Sequence, residues 1–166
     1  MYETEDDLRA LQVLLDRSMA SAGRHLLEVV TPEHRLPAVE LCSRLAGMRL
    51  LALATVTADG RPLVGPVDGL FFRGSFHFGS APDAVRVRHV RLRPQVSATH
   101  LPDESFAVTV HGRATLLDLS DPDHAGLRAL LLEHYVPRYG PGWETFLDAN
   151  VYARIDAQRM FVFRQP

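Results

Sequence analysis

The feature that most constrains the fold is a pair of closely spaced hairpin signals near the middle of the chain. Between Arg49 and Phe78, short apolar runs are interrupted first by Asp59-Gly60 and then by Arg73-Gly74. Such a dipeptide between apolar runs favours a tight β-hairpin turn, because glycine adopts positive φ without steric cost. The sequence therefore predicts consecutive antiparallel strands in this segment.

Further strands are predicted on the C-terminal side of these hairpins. Residues 95–101 form one short apolar run, and residues 150–163 form another near the end of the chain. In residues 105–119 the apolar side chains alternate, with Phe106, Val108, Val110, Gly112 and Ala114 on one face and His111, Arg113 and Thr115 on the other. About six short strands with helices at the ends predict an α+β fold, a small antiparallel barrel with peripheral helices.

Four helices are predicted around these strands. Leucines at helical spacing indicate a helix from Thr4 to Val29, and Pro37 and Gly47 bound a second one over about Leu36–Ala46. Proline near the start of each segment indicates two more, over about Pro82–Arg93 and Asp121–Val136. We interpret residues 1–35 as a helical extension and residues 36–166 as the barrel domain.

Composition limits the classes of function. The chain has 166 residues, a formal net charge of −2 and a single cysteine, Cys42. No apolar run approaches the ~20 residues that a membrane span needs, and no basic-then-apolar leader is present at the N-terminus. We therefore expect a cytoplasmic protein with neither a membrane nor a nucleic acid as partner, since no basic and aromatic residues interleave to form a base-stacking surface.

One short stretch concentrates positive charge. Phe78-Gly79-Ser80 precedes Pro82 and a segment that carries Arg86 and three more arginines. All 18 basic residues of the Lys+Arg class are arginine, so an anion site here needs arginine, histidine, hydroxyl or backbone N–H donors. With Ser80 as the helix cap and Arg86 one turn inside, the helix N-terminus is a candidate phosphate site. Ordinary helix capping with solvent-exposed arginines is the alternative interpretation.

The order of these motifs resembles the flavin-binding split-barrel superfamily, the pyridoxamine 5′-phosphate oxidase-like proteins. Asp59–Pro62 matches the family's hairpin, Gly65-Pro66-Val67 its second strand and Phe78-Gly79-Ser80 its third strand. The segment from Arg86 to Pro94 is similar to the helix motif Lys-x-x-Asn-Leu-x-x-x-Pro, with Arg86 in place of lysine and His89 in place of asparagine. Val110–Ala114 resembles the later Val-x-Gly-x-Ala strand.

This resemblance implies an FMN-binding oxidoreductase that acts on a small molecule as a homodimer, with its flavin sites at the subunit interface. It implies that Pro66, Val67 and Asp68 pass the isoalloxazine, and that Phe78, Gly79, Ser80 and Arg86 approach the ribityl phosphate. His89 falls at the position of a cofactor-binding asparagine. Gly79 stands where threonine is usual, so a phosphate hydroxyl is missing unless Ser80 supplies it.

Two features argue against oxidation of vitamin B6 compounds. The basic residues that the family's true oxidases carry near Gly65 and Leu70 are absent, and the chain ends without their arginine-and-tryptophan substrate motif. A deazaflavin-dependent reductase and a non-catalytic flavin or haem binder remain as alternatives.

The remaining polar residues suggest no catalytic group. His111 lies on the polar face of its strand, where a second subunit's flavin or a haem could reach it, but a partly exposed strand histidine without a ligand is the favoured interpretation. Asp68 is a polar residue in an apolar strand and is interpreted either as a flavin contact or as a strand end. No histidine pair has a metal-binding spacing and no nucleophile elbow is present, so neither a metal site nor nucleophilic catalysis is expected.

Overall fold

A closed barrel of six antiparallel strands forms the centre of the molecule. The computed structural model describes residues 2–165. The strands are β1 (Met48–Val56), β2 (Pro62–Phe72), β3 (Ser75–Ser80), β4 (Gln95–Asp103), β5 (Phe106–Leu117) and β6 (Val151–Arg164). They close in the order β1-β2-β3-β6-β5-β4. The helices are α1 (Glu5–Ala20), α2 (Arg24–Val29), α3 (Ala38–Arg44), α4 (Val85–Leu92), α5 (Ala125–Tyr139) and α6 (Trp143–Asp148). The α+β fold predicted from the sequence is confirmed.

Both hairpin signals form turns. At the β1–β2 turn, Gly60 has a φ of +84° and the Thr57 N–H donates to the Arg61 carbonyl at 2.9 Å. At the β2–β3 turn, Arg73 and Gly74 have φ values of 50° and 79°, which is the left-handed backbone that a two-residue hairpin requires. These turns fix the register in which Pro66 pairs with Ala52 and Asp68 with Leu50.

Alternation along the strands fills the barrel. On β5, Phe106, Val108, Val110 and Ala114 are buried, whereas His111, Arg113 and Thr115 are exposed, as the sequence predicts. The buried residues join Phe76 and Phe78 of β3 and Ile155 of β6 in one core. The opposite face of each strand is left for other contacts.

The N-terminal segment is two helices rather than the single predicted helix. Helix α1 ends at Ala20, and α2 begins after Gly23. Leu11 and Leu15 of α1 belong to the barrel core, and the Ser18 hydroxyl accepts a hydrogen bond from the Met160 N–H of β6 at 2.9 Å. Helix α1 therefore packs on the barrel, while the domain division at residue 35 stays a prediction.

Helix α4 begins later than predicted, and Ser80 does not cap it. Ser80 is the last residue of β3 and pairs with Val151 of β6. The chain then makes a turn in which the Ala84 N–H donates to the Ala81 carbonyl at 3.0 Å. Because the sheet holds the backbone of Ser80, the helix starts only at Val85, with Ala84 as an N-cap that has no side-chain hydrogen bond.

Helices α5 and α6 form a layer outside the barrel. They cover the outer faces of β2, β3 and β6 through a second apolar core, which contains Leu70, Leu131, Tyr135, Leu147 and Tyr152. Within residues 2–165, no helix is long and apolar enough to cross a bilayer.

Candidate functional site

A cleft of about 950 Å³ lies between the outer face of β2 and β3 and the layer made by α5 and α6. Seven of the nine residues that the sequence assigned to cofactor binding line it, namely Pro66, Val67, Asp68, Phe78, Gly79, Ser80 and Arg86. The structure thus brings together residues that lie up to 20 positions apart in the sequence.

Arg86 marks one end of the cleft. It projects from the first turn of α4 across β2, and its Nη1 donates to the Pro66 carbonyl at 3.2 Å. Gly65 makes room for it, because a Cβ atom there would lie 3.3 Å from Arg86 Nη2. The guanidinium has five N–H donors, so those not engaged by Pro66 can bind an anion beside the Ser80 hydroxyl.

The wall opposite β2 is aromatic. We define the aromatic wall as Tyr135, Tyr139, Trp143 and Phe146, all of which line the cleft. The Tyr135 ring stacks on Trp143 with centroids 4.5 Å apart and on Tyr139 at 6.1 Å, and Trp143 lies 6.0 Å from Phe146. Rings in this arrangement offer flat apolar surface to a planar ligand.

A hydrogen bond links the aromatic wall to the strand side of the cleft. The Tyr135 hydroxyl donates to Asp68 Oδ2 at 3.1 Å. Burial, with the nearby Asp68 charge adding to it, raises the pKa of Tyr135 well above its ordinary value, so the hydroxyl remains a donor at neutral pH. Asp68 is therefore oriented by Tyr135 rather than simply ending the strand, since β2 continues to Phe72.

His77 lines the cleft without contributing charge. Burial lowers its pKa to about 4, and its Nδ1 lies 3.1 Å from the Ser75 carbonyl. Among the described residues that line the cleft, Arg86 is consequently the only positive side chain at neutral pH and Asp68 is the only carboxylate.

Gly79 has a packing role. A Cβ atom at this position would lie 2.8 Å from Cε1 of Tyr152, so the tyrosine ring fills the space that a larger residue would need. The ring of Tyr152 therefore covers the backbone of Gly79 on the side where a Cβ atom would project. Burial raises the pKa of Tyr152 to about 12, which leaves its hydroxyl neutral.

Two predicted residues, His89 and His111, are not brought to the cleft. His89 is on the buried face of α4, where its Nδ1 lies 2.9 Å from the Thr55 hydroxyl of β1. His111 is exposed on β5, with its Nδ1 2.8 Å from the Ser97 hydroxyl. Within one protomer, His111 is thus part of a different surface of the barrel.

The other three arginines of this segment, which do not line the cleft, are Arg88, Arg91 and Arg93. Arg88 and Arg91 are exposed, and Arg93 Nε donates to the Val56 carbonyl at 3.0 Å. Of these four arginines, Arg86 is the one that lines the cleft and donates a hydrogen bond to β2, the strand that carries Pro66 and Asp68.

The aromatic wall is the part of the site that sequence reasoning missed. Tyr135 and Tyr139 are four residues apart on α5, and Trp143 follows at the start of α6. This spacing places the aromatic side chains on one face of α5 and at the start of α6. It is the sequence pattern from which the aromatic wall could have been predicted.

The residues of the cleft fit a flat ligand that carries an anionic end, which describes both a flavin phosphate and a haem. Arg86 and Ser80 provide the anion donors, and the aromatic wall and Pro66 provide flat apolar surface. No group of three or more potential metal ligands was found within residues 2–165.

Solved structures share this fold. A putative pyridoxamine 5′-phosphate oxidase from Listeria innocua aligns with a TM-score of 0.59 and 16% identity over 75% of this chain and 93% of that chain. A FAD-binding protein from Mesorhizobium loti aligns with a TM-score of 0.55 and 24% identity over 75% and 92%. The haem storage protein HutZ from Vibrio cholerae aligns with a TM-score of 0.60 and 22% identity over 76% and 93%.

These likenesses establish the fold. The chain has the six-stranded barrel found in pyridoxamine 5′-phosphate oxidase-like proteins, so the resemblance found in the sequence is confirmed at the level of fold. No family model and no curated protein matches the sequence.

Proposed function

We propose that this protein binds FMN in the cleft between β2 and α5–α6 and serves as an FMN-dependent oxidoreductase for a small molecule. The observation that carries the proposal is the convergence of seven residues, predicted from separate motifs, on one cleft with Arg86 at its end. The FAD-binding protein with the same fold adds support for a flavin.

In this proposal, one part of the cleft binds the phosphate of FMN and another part binds its ring. Arg86 and Ser80 bind the phosphate, with the guanidinium anchored on the Pro66 carbonyl. Pro66, Val67 and Asp68 would line the strand side of the ring site, and the aromatic wall faces them across the cleft. A bound flavin supplies hydride transfer, and the side chains of this chain supply orientation.

The proposal includes a homodimer. The outer face of β1 and β2 is apolar and uncovered beside the cleft: Leu50 and Val64 are exposed, and Ala52 and Pro66 pair between them. A second copy on this face would bury it, and would bring its own groups, including His111, nearer to the flavin. The free, buried Cys42 fits a reducing, cytoplasmic setting, which we include in the proposal.

Haem is the second candidate ligand. The haem storage protein from Vibrio cholerae has the same fold, and haem also combines a flat ring with anionic groups that Arg86 could bind. A deazaflavin coenzyme would use the same anion end of the cleft and remains an alternative cofactor.

The test uses the fluorescence of Trp143, which is the only tryptophan of the chain and lines the cleft. FMN is titrated into apo-protein and into two variants, Arg86→Ala and Arg88→Ala, the second being the control because Arg88 is exposed on the same helix. Loss of a charged hydrogen bond to phosphate costs ~1.5–3 kcal/mol, so Arg86→Ala should weaken FMN binding by roughly ten- to a hundredfold while Arg88→Ala changes it little.

Two outcomes would refute the FMN proposal. One is that the wild type does not bind FMN. The other is that both variants bind FMN as tightly as the wild type. Parallel titrations with haem and with a deazaflavin coenzyme then identify which ligand replaces FMN.

A further inference from the structure

We infer that Asp68 and the aromatic wall form a substrate subsite that selects planar aromatic molecules carrying a cationic or N–H donor group. The inference deepens the proposed function, because it takes the cleft as the ligand site and assigns the side of it that Asp68 and the aromatic wall line. It concerns binding alone, and it can be tested with or without a flavin.

The aromatic wall offers more surface than the fold uses. Tyr139 is 58% exposed and Phe146 is 56% exposed, although both rings line the cleft. Trp143 and Tyr135 extend this surface inwards as a stacked pair. Exposed aromatic surface in a cleft indicates a binding site, since aromatic rings bind flat ligands by stacking and bind cations through their negative faces.

Asp68 places a negative charge beside this surface. Its Oδ2 accepts the Tyr135 hydrogen bond, and within residues 2–165 no group donates to its Oδ1 and no basic side chain forms an ion pair with it. A carboxylate held by one neutral donor has one oxygen left free to accept a hydrogen bond. It therefore attracts a cation or an N–H donor that enters along the aromatic wall.

The two charges of the cleft are separated along β2. Arg86 binds at Pro66, and Asp68 is the next residue whose side chain points out of the barrel, so the two sites lie ~7 Å apart along the strand. A flat ligand that extends from the Arg86 site along β2 leaves the aromatic wall, on the other side of the cleft, for a second flat molecule whose donor group reaches the free oxygen of Asp68. The strand side of the cleft is thus assigned to the cofactor and the aromatic side to the substrate.

The experiment compares benzamidinium with benzoate, two flat probes of equal size and opposite charge. Binding is measured by Trp143 fluorescence in the wild type, in Asp68→Asn and in Asp59→Asn, whose substituted carboxylate lies on the exposed β1–β2 turn. We expect the wild type and Asp59→Asn to bind benzamidinium about tenfold more tightly than benzoate, and Asp68→Asn to lose that preference.

A fourth variant tests the aromatic wall separately. Phe146→Ala removes exposed ring surface without changing charge, so it should weaken both probes to a similar extent and keep the preference for benzamidinium. The inference is overturned if the wild type binds neither probe, binds both equally or prefers benzoate, and also if Asp68→Asn retains the wild-type preference.

The two proposals fail separately. A benzamidinium preference that depends on Asp68, in a protein that does not bind FMN, would retain the subsite and remove the flavin. FMN binding that depends on Arg86, without any charge preference between the probes, would retain the flavin site and remove the subsite.

Discussion

Individual side chains set the charge of the cleft through their burial. His77 is nearly inaccessible to solvent, and its imidazole is held neutral because burial disfavours the protonated form. Asp68, on the neighbouring strand, is exposed, and the hydrogen bond from Tyr135 orients its carboxylate. The cleft is therefore lined by one arginine and one carboxylate, and His77 adds no positive charge to it.

The burial of His77 predicts a pH dependence of stability. Its pKa is lowered to about 4 in the folded protein from 6.5, so the unfolded chain binds more protons between these values and stability falls as the pH is lowered through this window. Between pH 7 and pH 5 this group should cost the wild type about 2 kcal/mol of unfolding free energy. The free energy of unfolding, measured in urea at pH 7 and at pH 5, should therefore fall by about 2 kcal/mol less in His77→Gln than in the wild type.

The control for this measurement is His25→Gln, since His25 is exposed on α2. That variant should keep the wild-type dependence on pH. Equal pH dependence in His77→Gln and the wild type would contradict the assignment of the effect to His77.

Single residues also explain what the sequence could and could not predict about the site. Arg86 and Pro66 were identifiable because each belongs to a local motif with a fixed spacing. The position of Tyr152 against Gly79 depends on the pairing of β3 with β6, which are about 70 residues apart, and no local pattern contains that information. His89 has the spacing of a cofactor residue, yet it lies on the buried face of α4 and contacts the Thr55 hydroxyl of β1.

At the scale of elements, local signals predicted the strands better than the helix ends. The Asp59-Gly60 and Arg73-Gly74 turns lie where expected because the turn conformation is encoded in the turn residues themselves. The start of α4 was predicted too early because the sheet extends β3 through Ser80, a tertiary effect that overrides the capping preference of serine. Helices α1 and α2 are separate because Gly23 follows a turn that the leucine spacing does not reveal.

The attachment of α1 to the barrel depends on a buried hydrogen bond as well as on leucine packing. Ser18→Ala would leave the Met160 N–H without its acceptor in a fully buried position. A buried donor without a partner costs about 1–3 kcal/mol, so the free energy of unfolding in urea should fall by this amount. Ser43→Ala, at an exposed position of α3, is the matched control and should change stability by less than about 0.5 kcal/mol. If the two variants are equally stable, α1 is attached by apolar packing alone.

At the scale of the whole molecule, helices cover parts of the outer surface of the barrel and leave one apolar part open. Helix α1 packs along β6, and helices α5 and α6 cover β2, β3 and β6 near the cleft. The outer face of β1 with its neighbours β2 and β4 remains apolar, with Leu50 61%, Val64 69% and Leu101 63% exposed. Leaving an apolar patch of this kind in contact with water costs free energy. A homodimer formed through this face would bury the patch.

We therefore predict that the wild type sediments at micromolar concentration with twice the mass of one chain, and that Val64→Glu shifts it towards monomer. The reason is that a second copy on this face would bury the glutamate carboxylate without a partner of opposite charge. Val13→Glu is the control, since Val13 is equally exposed on α1, outside this face, and its substitution should leave the dimer intact. If the cleft is completed by the second copy, Val64→Glu should also weaken FMN binding although it does not contact Arg86, whereas a wild type that sediments as a monomer would contradict the dimer directly.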